Sequence, residues 1–285
     1  MTGGVDLDRT GPALLFCPAD RPDRFAKAAE RADAVILDLE DAVLPAERPA
    51  ARAALAAHPL DPARTIVRVN PHGSSDHTLD VEAALAAGYR TLMLAKAESP
   101  AAVRAIEALA AASGSPRIGV IALCETAAGV LAAPQLAAEA SVAALMWGAE
   151  DLLASLGGSS SRYPDGRYRD VARHARSAVL MAAAAHGTAA IDTVHLVIDD
   201  EVGLAAEARD AAASGFQATA CIHPAQVAVI RAAYRPSPEQ LSAAAALLAR
   251  AAGEPGAFRF EGRMIDEPVL RHARALLERA EHTVW

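Results

Sequence analysis

The 285-residue chain predicts an α/β fold, a (β/α)8 TIM barrel with a C-terminal lid extension of helices and a hairpin. Three observations lead there. Eight short β-rich runs follow one another, each with a helical stretch after it. The runs are mostly continuous apolar segments, the pattern of strands covered on both faces of a parallel sheet. The length suits a barrel of ~250 residues plus an appendage. A doubly wound open sheet is the rival, but no GxGxxG follows the first run, which weakens its dinucleotide-binding version.

The first run is ALLFC at 13–17, with a helix over 24–31. AVILDLE at 34–40 precedes a helix over 46–57 that has Pro45 near its start. TIVRVN at 65–70 is third, and its helix ends at Gly88. TLMLAK at 91–96 is fourth; Ser99 and Pro100 then suit an N-cap and a first helical residue. IGVIALCE at 118–125 and AALMWGA at 143–149 are fifth and sixth. A long helix near 168–186 leads to AIDTVHL at 190–196, and a helix near 201–213 leads to ATACIH at 218–223. The barrel domain is thus expected over 12–235. Past Pro236 and Pro238 the pattern changes to a helix at 239–251, broken by Gly253, Pro255 and Gly256. FRFEGRMI reads as a hairpin turning near Glu261 and Gly262, and a helix follows over 267–281. Residues 236–285 are expected to form a lid or an oligomer contact, not a second domain.

Composition narrows the function. Hydrophobic residues make up 53% and charged residues 22%, so the chain is folded, not disordered. The net charge of −8 argues against a nucleic-acid backbone or an anionic membrane as partner. Aromatics at 4% argue against base-stacking platforms. No run approaches ~20 apolar residues, and no secretory leader pattern opens the chain, so a cytoplasmic protein is expected. Cys17, Cys124 and Cys221 each sit in an apolar run and read as buried free thiols.

In a parallel barrel, chemistry gathers at the C-terminal ends of the strands. Those ends supply Asp38, Glu40 and Asp41, then Arg68 and Asn70, then Lys96, Glu125, Glu150 and Asp151, with Asp192, His195 and His223 last. Glu125 and Asp151 end successive runs and can face one point. Two carboxylates with open positions describe a Mg²⁺ site, where the ion keeps waters and takes substrate oxygens. No Cys/His cluster has zinc spacing. Arg68 reads as a fork for a substrate oxygen or as a partner of the DLED acids. Lys96 reads as a cation among the mouth acids or as a Schiff-base amine. Arg21 and Arg24 follow the first run and suit ligand phosphates. GGSSSR at 157–162 is a weak anion cradle and more simply a flexible loop. His223, before Pro224, suits a helix cap.

LFCPADRPDRF, VILDLEDAV, IVRVN, ALCETAAGV, LMWGAEDL, IDTVH, CIHPAQ and GRMIDEPVLRHA occur in this order over roughly residues 12–281. Together they resemble the citrate lyase β-subunit-like family of the HpcH/HpaI aldolase superfamily, and WGAEDL followed by LGGSSSR is most similar to its stand-alone actinobacterial members. The resemblance implies a TIM barrel, usually trimeric, that binds Mg²⁺ and cleaves or forms carbon–carbon bonds in β-hydroxyacyl-CoA thioesters of the citryl-, malyl- or hydroxymethylglutaryl-CoA type. It implies metal ligation by Glu125 and Asp151 and substrate binding by Arg68. It also implies an acid, Asp41, near metal-bound waters, with Glu40 beside it, and a proton-transfer acid, Asp266, carried on the lid of a neighbouring subunit. The expected activity is a Mg²⁺-dependent lyase releasing an acyl-CoA and a keto acid. The alternatives are a metal aldolase on CoA-free pyruvate-like acids, a thioesterase or malate-synthase-like activity at the same site, or a non-enzymatic binding protein. The chain departs from the family at Ala95 before Lys96, where most relatives have proline, and at Ala218-Thr219, where many have Gly-Lys. The second change is expected to alter the pocket near His223.

Overall fold

The computed structural model describes residues 4–282 apart from 8, 116 and 255. Pro255 of the expected helix break and residues 283–285 of the extension therefore lie outside the described residues.

Eight parallel strands close into a barrel in sequence order: β1 (Ala13–Pro18), β2 (Ala34–Asp38), β3 (Thr65–Val69), β4 (Thr91–Leu94), β5 (Gly119–Cys124), β6 (Val142–Trp147), β7 (Ala189–Asp192) and β8 (Ala218–Cys221). Around them run α1 (Phe25–Arg31), α2 (Arg48–Ala57), α3 (His77–Ala86), α4 (Pro100–Ala112), α5 (Ala127–Ala137), α6 (Ala149–Ser155), α7 (Asp170–His186), α8 (Glu201–Ser214) and α9 (Pro224–Tyr234). Most strands stop one to four residues before the expected ends. The polar residues there satisfy the main chain locally instead. Asp38 Oδ1 accepts from Glu40 N (2.9 Å), and Glu40 Oε2 accepts from Asp41 N (3.0 Å). Such side-chain bonds compete with the sheet ladder. The helix Ala149–Ser155 directly after β6, where only a loop was expected, is an α-helix the sequence reading missed. Ser99 precedes α4 without a side-chain cap bond, although Pro100 opens the helix as expected.

Two apolar layers hold the barrel. Inside, Leu14, Ile36, Ile66, Met93, Ile121, Leu123, Met146 and Ile191 fill the lumen, with Leu7 packed among them. Outside, alternate residues such as Val35, Leu37, Val67, Leu92 and Leu145 face the helices. Side chains on a strand alternate between faces. The inward track of β2 therefore runs Ala34, Ile36, Asp38; that of β3 runs Ile66, Arg68; that of β5 runs Ile121, Leu123 and on to Glu125. Asp38, Arg68 and Glu125 are the polar rims of apolar tracks, and this places them together at one mouth. Cys17, Cys124 and Cys221 are buried and unpaired.

The extension comprises α10 (Pro238–Ala251), an antiparallel hairpin of β9 (Phe258–Phe260) and β10 (Arg263–Ile265), and α11 (Glu267–His282). Ser237 and Gln240 form a reciprocal cap at the start of α10. Glu261 and Gly262 turn the hairpin at positive φ, 48° and 79°, the left-handed pair a two-residue connection requires. α10 packs on α11. The far end of α11 reaches the N-terminal rim of the barrel, where Ala275, Glu278 and Arg279 share a cavity with Pro12 and Gln217. Arg279 Nη1 donates to Ala212 O at 3.2 Å. Among the described residues, no helix is long and apolar enough to cross a membrane.

Candidate active site

A cavity of about 350 Å³ opens at the C-terminal mouth of the barrel. Asp38, Asp41, Arg68, Glu125, Glu150 and Asp151 line it, above a floor that includes Leu123 and Met146.

Arg68 is the fixed point. Its Nε and Nη2 donate to Asp38 Oδ1 (2.6 Å) and Oδ2 (2.5 Å). Its third nitrogen, Nη1, lies 3.2 Å from Glu40 Oε2, and the guanidinium stacks 4.8 Å from the centre of the Phe16 ring. β2 and β3 pair in the register Asp38↔Arg68, so the fork is set by the sheet itself. A bidentate pair of this kind fixes both position and plane.

Glu125 is buried, and its Oε1 accepts from the main-chain N–H of Lys96 at 3.1 Å. Burial and the nearby Asp151 charge push its carboxyl up to about 8, against the opposing pull of Arg68 and Lys96. Gly148 is what makes room for it. A β-carbon there would lie 2.9 Å from both Cβ and Oε2 of Glu125. Asp151, on the first turn of α6, enters the same cavity from the adjacent stave. Glu150, beside it, is held by Ser161 Oγ at 2.5 Å.

Lys96 bridges the acids. Nζ lies 2.5 Å from Glu40 Oε1, 3.4 Å from Asp151 Oδ1 and 3.7 Å from Asp41 Oδ2. Burial would lower its pKa, but the Glu40 hydrogen bond and the surrounding carboxylates hold it well above the ordinary lysine range. A Schiff-base nucleophile needs the reverse. Glu40 is itself raised by burial despite Arg68 and Lys96.

The charged donors are hard oxygens, and neither a cysteine nor a histidine lines the cavity. Among the described residues no three His, Cys, Asp or Glu side chains converge as a closed metal cage. Two carboxylates under mutual repulsion fit a cation that retains several waters, as Mg²⁺ does. They do not fit a structural zinc centre.

A model of the HpcH/HpaI aldolase/citrate lyase family matches residues 13–224, the whole barrel through the first residue of α9. The chain belongs to this family. It is 56% identical over 276 residues to a citrate lyase subunit beta-like protein of Mycobacterium tuberculosis, covering 97% of this chain and 98% of that one. It is 31% identical to the mitochondrial citramalyl-CoA lyase of Mus musculus, covering 93% and 84%. It superposes with a TM-score of 0.90, at 56% identity and covering 96% and 99% of the two chains, on the crystal structure of CitE from M. tuberculosis in complex with magnesium, acetoacetate and coenzyme A.

The family motifs fall at the mouth unevenly. Asp41, Arg68, Glu125 and Asp151 line the cavity, with Glu40 and Lys96 bonded to them. Arg21 and Arg24 are exposed after β1 and do not line it, and Arg21 pairs with Asp23 at 3.1 Å. Asp266 lies elsewhere in its own chain, in a cavity between α10 and α11. Asp192 and His195, grouped with the mouth by sequence position, do not line the cavity. Asp192 receives Trp147 Nε1 (2.5 Å) and a bidentate contact from Arg176 on α7. His195 Nδ1 contacts Glu207 Oε2 at 2.8 Å. His223 caps α9, its Nδ1 accepting from Ala225 N at 3.3 Å. Thr219, where many relatives have lysine, is buried, and its Oγ1 lies 2.9 Å from Tyr234 Oη. The GGSSSR segment is pinned, not loose, by Ser161 on Glu150 and Arg162 on Glu207. Gly148 and Asp38 are the site residues the sequence reading gave too little weight. The signal was the inward period of two, which puts Asp38 in step with Ile36 and Gly148 in step with Met146.

Proposed function

We propose that the protein is a Mg²⁺-dependent carbon–carbon lyase that splits a β-hydroxyacyl-CoA thioester, of the citryl-, malyl- or hydroxymethylglutaryl-CoA type, into an acyl-CoA and a keto acid. The observation that carries the reading is the convergence of Glu125, Asp151 and the fixed Arg68 fork on one cavity. Glu125 and Asp151 would hold the ion. When bound, Mg²⁺ supplies Lewis acidity and a template for the oxygens of the keto-acid half.

The remaining work falls to the protein's own groups. The β-hydroxyl gives its proton to a carboxylate as its oxygen becomes a carbonyl. The bond between the α- and β-carbons breaks, and its electron pair passes to the thioester α-carbon as an enolate, which is then protonated. A positioned base contributes roughly 10²–10⁴-fold. Asp266 from a neighbouring subunit is the first candidate, with Asp41 second. Support for a neighbour's contribution is that Asp266 lies away from the mouth of its own chain. The assembly is accordingly proposed to be a homotrimer whose extensions serve as lids. Arg68, held rigid by Asp38, is placed to stabilise the enolate charge, a type of interaction that is often the largest single catalytic effect. Arg21 and Arg24, exposed after β1, suit the CoA phosphates. The proposed setting is the cytoplasm.

The test is a panel of β-hydroxyacyl-CoA thioesters assayed for keto-acid release with and without Mg²⁺. Release from at least one, abolished by EDTA and restored by Mg²⁺, supports the reading. Metal-independent turnover, or release of CoA with no keto acid, refutes it.

A further inference from the structure

Among the described residues, two besides glycine adopt positive φ: Glu261 and Lys96. Glu261 belongs to the hairpin turn, whose partner is glycine. Lys96 sits just past β4 at φ 47°, beside the candidate cation site, with no glycine to ease it. For a residue with a β-carbon this conformation costs on the order of 1 kcal/mol. Such strain persists where the surroundings enforce it.

The two ends of Lys96 touch both candidate cation ligands. Its main-chain N–H donates to Glu125 Oε1 at 3.1 Å. Its ammonium lies 3.4 Å from Asp151 Oδ1 and 2.5 Å from Glu40 Oε1. Carboxylates this close repel one another unless positive charge stands between them. Arg68 is committed to Asp38 and Glu40, so Lys96 is the cation left to face Asp151 among the ion pairs the structure shows.

We propose that Lys96 is a positioning residue for the cation site: its backbone N–H fixes Glu125, while its ammonium is a resident counter-charge that Asp151 exchanges for the divalent ion. This rests on the reading of Glu125 and Asp151 as the metal-holding pair. An incoming ion must displace the ammonium from Asp151. Metal affinity is therefore set below what the carboxylates alone would give. Glu40 retains the ammonium after the exchange, so the lysine swings by a short distance and does not leave the mouth.

The test is calorimetric titration of Mg²⁺ into wild type, Lys96→Met, Lys96→Gly and Lys96→Arg, with thermal midpoints measured without metal. Glycine adopts positive φ freely, so it keeps the backbone N–H in place if methionine compromises folding. Lys96→Met and Lys96→Gly are expected to bind Mg²⁺ about tenfold more tightly, since no charge need be displaced. Lys96→Arg, which keeps the charge, is expected to stay near wild type. Unchanged or weaker binding in both charge-deleted variants overturns the counter-charge role while leaving the metal site intact. No Mg²⁺ uptake by wild type overturns the metal reading itself, and this inference with it.

Discussion

Arg68 meets Asp38 through two parallel hydrogen bonds, Nε to Oδ1 and Nη2 to Oδ2, at 2.6 and 2.5 Å. The pair leaves one guanidinium edge directed at Glu40 and closes off every other rotation. Lysine cannot reproduce a planar fork. Arg68→Lys is therefore expected to lower kcat by roughly 10²–10³-fold, the range seen when an oriented charge-stabilising donor is lost. Steady-state kinetics checks this. A variant with near-normal kcat would remove Arg68 from the stabilising role.

Glu125 is buried beside Asp151, which makes its charge costly in the metal-free protein. The sign follows from linkage: a carboxyl raised above its ordinary 4.5 to about 8 loses folding stability as pH climbs between those values. Glu125→Gln keeps an acceptor for Lys96 N–H and removes the charge. The metal-free variant is expected to be more stable by on the order of 2 kcal/mol at neutral pH, with the gain growing toward pH 8. It should also lose the Mg²⁺-dependent rise in melting temperature. Thermal melts across pH, with and without Mg²⁺, read both effects.

Gly148 faces Glu125 with no space for a methyl group. Gly148→Ala is expected to displace the Glu125 carboxylate and weaken Mg²⁺ binding by roughly 10-fold or more, in the range of disturbing groups that orient metal ligands. Calorimetric titration checks this, and circular dichroism reports whether the barrel is retained. Unaltered metal affinity would place the ion away from Glu125.

Glu207 tests the wall behind the mouth. Burial pushes its pKa up, but the His195 and Arg162 contacts more than offset this and hold it below the ordinary carboxylate value. Its stabilising contribution is thus present above pH 4.5 and lost as pH falls through its depressed value. Glu207→Gln is expected to cost about 1–2 kcal/mol at pH 7. The gap to wild type should close as pH falls through that depressed value. Urea melts at several pH values measure it, and a gap that persists in acid would show that charge is not its origin.

The strand order and closure were legible because apolar runs and helical stretches alternate from Ala13 to Tyr234, interrupted only where α6 and α7 both stand between β6 and β7. The mouth acids were legible because polar residues end runs that are otherwise apolar. What the sequence hid was phase. β7 reads Ala-Ala-Ile-Asp, apolar on both faces up to its last residue, so nothing in it says whether Ile191 or Asp192 points inward. A strand covered on both sides carries no alternation to set that choice. Ile191 takes the lumen, and Asp192 turns out to Trp147 and Arg176. Partnerships across long stretches of chain, such as Arg162 with Glu207, leave no local trace either. The positive φ of Lys96 was equally invisible, because lysine carries no intrinsic preference for it.

The packed lumen has a kinetic consequence. Leu14, Ile36, Ile66, Met93 and Ile121 plug the barrel beneath the cavity, so the mouth is a blind well with no rear exit. Under the proposed cleavage, both fragments are expected to leave through the same opening, the one against Leu123 and Met146 last.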